Sequence, residues 1–88
     1  MTEADQLFFD QIAEAAAQDD ALRDVAKANP LEKFQLVFQQ ALESLFIERM
    51  ELNEELFSEF MGNQEMQNLI AKTLGSQVYT RLQRHNDR

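Results

Sequence analysis

Asn29-Pro30-Leu31-Glu32-Lys33-Phe34-Gln35-Leu36-Val37-Phe38 is the stretch that decides the fold. Its first four residues form the sharpest boundary in the chain. Asn29 can cap a helix, Pro30 suits a first helical turn because its missing N–H has no partner there, and Glu32 favours the positive end. A helix therefore starts here. Phe34, Val37 or Phe38, Ala41, Leu45 and then Arg49, Leu52, Leu56 and Phe60 continue at helical spacing to Met61-Gly62-Asn63, the expected stop. The run predicts one helix of about thirty residues, long for a globular protein. Asn53 is the one weak helix former within it and offers a cap for a new segment if the run divides.

Upstream, Thr2 and Asp5 make a capping-box-like start, and Leu7, Phe8, Ile12, Ala15 and Ala16 follow at three- and four-residue spacing. A first helix thus runs to about Gln18. Asp19 and Asp20 offer an N-cap for a short second helix with Ala21, Leu22, Val25 and Ala26, which ends near Ala28 after Arg23 and Lys27. Downstream, Asn63 caps a last helix in which Met66, Ile70, Leu74, Val78 and Leu82 repeat every four residues. Gly75 sits inside that helix at a cost of about 1 kcal/mol relative to Ala, and fraying begins around Arg84. Gly62 and Gly75 are the only glycines and Pro30 the only proline, so tight hairpins have almost no raw material. The expected fold is all-α: one domain over residues 1–88, a small bundle of three long helices plus one short helix.

A chain of 88 residues builds a thin core, burying about 60 to 65% of its unfolded surface. Without cysteine, neither a disulfide framework nor a thiolate metal site can reinforce it, which fits a reducing cytoplasm. The longest run of large apolar residues, Leu45-Phe46-Ile47, is far short of a membrane span. Sixteen acidic residues against eight basic ones give a formal charge of −8, which repels nucleic-acid phosphates and argues against direct nucleic-acid binding. The charge is uneven. Residues 1–71 carry fifteen acids and four bases, whereas residues 72–88 carry Lys72, Arg81, Arg84 and Arg88 against Asp87 alone. Such a tail reads as a solvated helix end whose cations suit the C-terminal dipole.

Catalytic chemistry finds little to work with. Glu48, Glu51 or Glu55, and Glu59 would share one line on a continuous helix, as in a di-metal bundle or a DNA mimic. The di-metal version needs paired Glu-x-x-His elements, and the only histidine, His85, has Leu82 three positions before it. A mimic needs carboxylates spaced like phosphates, and here Leu52, Leu56 and Phe57 interrupt them. Ser44, Ser58 and Ser76 have no neighbouring histidine, and Lys72-Thr73 lacks the upstream glycines of a phosphate-binding loop. No catalytic residue, metal ligand or cofactor is expected. The seven phenylalanines are core first, yet Phe8 with Phe9, and Phe46 beside Ile47, cannot all point inward, which leaves apolar surface for a partner.

An ordered set of segments carries a resemblance. They are Gln6-Leu7-Phe8-Phe9-Asp10; Ala26-Lys27-Ala28-Asn29-Pro30-Leu31-Glu32-Lys33-Phe34-Gln35-Leu36-Val37-Phe38; Ile47-Glu48-Arg49-Met50-Glu51-Leu52-Asn53-Glu54-Glu55-Leu56-Phe57; and Gln77-Val78-Tyr79-Thr80-Arg81-Leu82. In order and spacing they resemble the C-terminal helical region of the restriction (motor) subunit of type I restriction–modification enzymes. The Arg-Met-x-x-Asn-Glu-x-x-Phe element is the most specific part. Pro30 and Glu48 depart from the family pattern, which has Thr or Ser and Asp there.

The resemblance implies a non-catalytic assembly domain that docks the ATP-dependent translocase and endonuclease subunit onto the methyltransferase core. The nuclease and motor of that family lie upstream of this region, so the chain looks like an excised domain or a detached remnant of a larger, cytoplasmic subunit. The implied partners are the methyltransferase and specificity subunits, or the rest of the chain's own motor subunit. Arg49 and Asn53, one helical turn apart, are expected to share a face for polar contacts to a partner or a neighbouring helix, with Glu48 and Glu54 beside them. Phe9, Ile47 and Phe57 are the candidate apolar contacts. The competing expectation is a stand-alone acidic inhibitor or DNA mimic.

Overall fold

A computed structural model describes residues 2–86, the side chains of His85 and Asn86 excepted, and its elements are all helical. They are α1 (Glu3–Ala17), α2 (Asp20–Ala28), α3 (Leu31–Glu48), a 3-10 turn (Met50–Leu52), α4 (Glu54–Met61) and α5 (Gln64–Asn86). Local chemistry sets the helix starts. Thr2 and Asp5 close a reciprocal capping box on α1, and the Asp19 carboxylate accepts from the Ala21 and Leu22 amides at the head of α2. Asn63 accepts from the Met66 amide at the head of α5.

The single helix expected from Leu31 to Met61 is divided, so three long helices and a short one become five α-helices among the described residues. A straight helix over that span would measure about 46 Å, whereas the molecule's longest dimension is 37 Å. The break lets α4 fold back until the Phe46 and Phe60 rings stack with centroids 3.8 Å apart. Fourteen residues apart on one straight helix, the two would stand about 21 Å from each other. Asn53 completes the break by capping α4, its Oδ1 accepting from the Leu56 amide at 3.1 Å.

One core joins all five helices. Phe8, Ile12 and Ala16 from α1, Leu22 and Ala26 from α2, Phe34, Phe38, Leu42, Leu45 and Phe46 from α3, and Leu56 and Phe60 from α4 are buried. They surround Ile70, Ala71, Leu74, Val78 and Leu82 of α5, which packs against every other helix and most extensively against α3. Leu7 and Leu52, read above as stripe positions, are instead exposed. Leu7 lies off the arc that Phe8, Ile12 and Ala16 define, and Leu52 falls in the turn where the helical period lapses.

Gly75 sits inside α5 for a packing reason. A Cβ there would lie 3.3 Å from Phe38 Cδ1 and 3.5 Å from Gln35 Cγ, so its absence lets α3 approach closely. Flanking that approach, Gln35 Nε2 donates to Ser76 Oγ at 2.9 Å and to the Lys72 carbonyl at 3.1 Å. Farther along, Gln39 Nε2 donates to Asn68 Oδ1 at 2.6 Å.

The Asn29-Pro30 boundary works differently from the expectation. Pro30 is itself the N-cap residue of α3 and makes no side-chain cap, while Asn29 is extended, as the residue before a proline prefers, and turns back to close α2. Its Nδ2 donates to the Val25 carbonyl at 3.0 Å. Two α5 side chains complete the closure: Gln83 Nε2 donates to the Ala26 carbonyl at 2.6 Å, and the Tyr79 hydroxyl donates to the Asn29 carbonyl at 3.0 Å. Two carbonyls at the end of α2, those of Ala26 and Asn29, thus find partners some fifty residues on. Among the described residues, no helix is long and apolar enough to cross a membrane.

Candidate functional site

The break between α3 and α4 forms an elbow whose residues combine exposed apolar side chains with dense negative charge. At the elbow Ile47 is 48% exposed, Met50 42% and Leu52 59%, and Met61, at the far end of α4, is 40% exposed. These are four of the eight exposed large hydrophobic residues among the described residues, concentrated in a fifteen-residue span. No residue of the Met50–Leu52 turn is buried. Between residues 34 and 71 the sequence places Glu43, Glu48, Glu51, Glu54, Glu55, Glu59 and Glu65 against Arg49 as the sole base. All seven carboxylates are exposed, and among the described residues only Glu48 is ion-paired.

Arg49 and Asn53 do not share a helical face, because the chain leaves the helix between them. Arg49 folds back along its own helix, its Nη1 donating to the Leu45 carbonyl at 3.4 Å and to Glu48 Oε2 at 3.2 Å, rather than forking onto a distant carboxylate. Asn53 acts in two directions. While its Oδ1 caps α4, its Nδ2 donates to Asp5 Oδ1 at 2.9 Å, tying the elbow to the start of α1. This hydrogen bond is the main reason the Asp5 carboxyl is held below its ordinary value; partial desolvation opposes the shift, and the bonds with Thr2 add to it.

The break also divides the expected line of glutamates: Glu48 ends α3, Glu51 lies in the turn, and Glu55 and Glu59 are on α4. No group of three or more potential ligands among the described residues could hold a metal ion. The side chain of His85, with Asp87 and Arg88, lies outside the described residues. Ser76 spends its hydroxyl on the Lys72 carbonyl at 2.7 Å.

Of the residues singled out from the sequence, Ile47, Glu48, Arg49, Asn53 and Glu54 come together at the elbow. Phe9 and Phe57 do not join them as exposed contacts; both are half-buried and pack against the core. Phe9 borders a separate open groove between α1 and α5, together with Leu69, Ile70 and Leu74. Met50, Leu52 and Met61 were missing from the expected set. The signal for Met50 and Leu52 was present in Asn53, since a helix that stops there releases the residues before it from the core stripe. No family model, curated protein or solved structure matches the chain.

Proposed function

We propose that this chain is a non-catalytic helical assembly module of the type I restriction–modification kind, which docks a motor subunit onto a methyltransferase core in the cytoplasm. One observation carries the reading: the most specific stretch of the resemblance, Arg49-Met50-Glu51-Leu52-Asn53-Glu54-Glu55-Leu56-Phe57, coincides with the exposed elbow. In that stretch Leu56 is buried and Phe57 half-buried against the core, while Met50 and Leu52 stand exposed and open to a partner. The elbow is also held in place by the Asn53 cap, the Asn53–Asp5 bond and the Phe46–Phe60 stack. A surface fixed before binding loses less entropy on association.

The test is size-exclusion chromatography with light scattering on the chain mixed with a methyltransferase–specificity core of that class, with and without duplex DNA. Co-elution that persists with DNA present is the expected result. Co-elution only without DNA identifies a DNA mimic instead, and failure to bind under either condition removes the docking role.

A further inference from the structure

We infer that the elbow between α3 and α4 is the docking surface of this module and that its occupant is a basic amphipathic segment of a partner protein. The inference rests on the assembly reading and adds which face is used and what chemistry it takes. Ile47, Met50 and Leu52 supply the apolar contact, and the unbranched Met50 side chain can adapt to an incoming shape. Glu48, Glu51, Glu54 and Glu55 lie on or beside the same turn, and among the described residues only Glu48 of these four has an internal cation.

Charge selects among the possible occupants. Nucleic-acid phosphates and anionic lipid head groups are repelled by these carboxylates. A second copy of the chain carries a net charge of −8, and the aliphatic residues of its one basic stretch, Leu74, Val78 and Leu82, are buried in that copy's own core. A segment with lysine or arginine flanking aliphatic anchors at helical spacing satisfies both features at once. The groove between α1 and α5 offers no comparable selection, because Asp10 is the only charged residue lining it.

The experiment measures fluorescence anisotropy of a labelled Lys/Leu amphipathic peptide, and of its Glu/Leu counterpart, against the full chain. The Lys/Leu peptide binds and the Glu/Leu peptide does not. Met50→Ser, Leu52→Ser and Glu51→Lys each weaken binding about tenfold. Leu36→Ser and Leu69→Ser, which alter exposed leucines elsewhere, and Asp24→Lys, which changes net charge as much as Glu51→Lys, leave it within about twofold. Circular dichroism confirms that each variant remains folded.

Absence of Lys/Leu binding, or equal weakening by elbow and remote variants, overturns the assignment. The same variants then separate it from the type I reading. Co-elution with the methyltransferase core that all three elbow variants leave intact rejects the elbow and retains the docking role. Elbow-dependent peptide binding by a chain that never co-elutes supports the elbow and rejects the type I partner.

Discussion

Replacing Gly75 with alanine sets two effects of known size against each other. Helix propensity alone favours alanine by about 1 kcal/mol in a helix interior. The new Cβ, however, would lie 3.3 Å from Phe38 Cδ1, tighter than an ordinary contact. Phe38 has little room to yield. It is fully buried, its ring stacks on Phe34 with centroids 5.9 Å apart, and the neighbouring Gln35 is held to α5 by two hydrogen bonds. Overpacking a close-packed core costs about 2 kcal/mol, within a range of about 1 to 3. The net expectation is a loss of about 1 kcal/mol, which lowers Tm by about 4 to 8 °C in a domain of this size.

Thermal unfolding followed by circular dichroism, with urea titration to check that the transition stays two-state, measures the change. Thr80→Ala on the exposed side of α5 is the control, because it reports propensity without the clash and gains a few tenths of a kcal/mol. A Gly75→Ala variant that gains as much as the control, or more, would refute the claim that this glycine sets the distance between α3 and α5.

Phe60→Ala removes a buried ring and half of the stack that closes the elbow, and should lose about 3 to 5 kcal/mol by urea denaturation, enough to unfold a marginal domain. Tyr79→Phe deletes the hydroxyl bond to the Asn29 carbonyl and should lose about 1 kcal/mol, with faster amide exchange in the last turn of α2. Asp5 has a folded pKa below its unfolded value, so its contribution is present above the unfolded pKa and disappears as pH falls through the folded one, below about pH 4. Carboxyl titration by NMR should show the Asp5 pKa rising towards its ordinary value in Asn53→Ala; an unchanged pKa would mean that the bond between them does not form in solution.

The beginnings of α1, α2 and α5 were legible because each is decided within four residues, by Thr2 with Asp5, by Asp19 and by Asn63. The elbow was legible only in part: Asn53 offered the cap that α4 takes, but the apolar spacing from Phe34 to Phe60 runs through it unbroken. What ends the helix is the pairing of Phe46 with Phe60, which becomes available only when the chain folds back. The candidate site was legible in part for the same reason. Ile47, Glu48, Arg49, Asn53 and Glu54 are neighbours in sequence and stay neighbours in space, but reading Leu52 as a core position concealed that the turn faces outward. Neither Tyr79 nor Gln83 could be matched to α2 from local pattern, since their acceptors lie 50 and 57 residues away.

The closure of α2 by those two side chains has a consequence for the order of assembly. During synthesis, α2 emerges long before Tyr79 and Gln83, so the Ala26 and Asn29 carbonyls remain solvated until α5 leaves the ribosome. Leu82, which lies between them, joins the core at the same stage. A nascent chain halted at residue 78 would therefore hold α2 and α3 with their junction unsecured, and protection at that junction should appear late and together with the end of α5. The end of α2 is thus completed by side chains some fifty residues downstream of it.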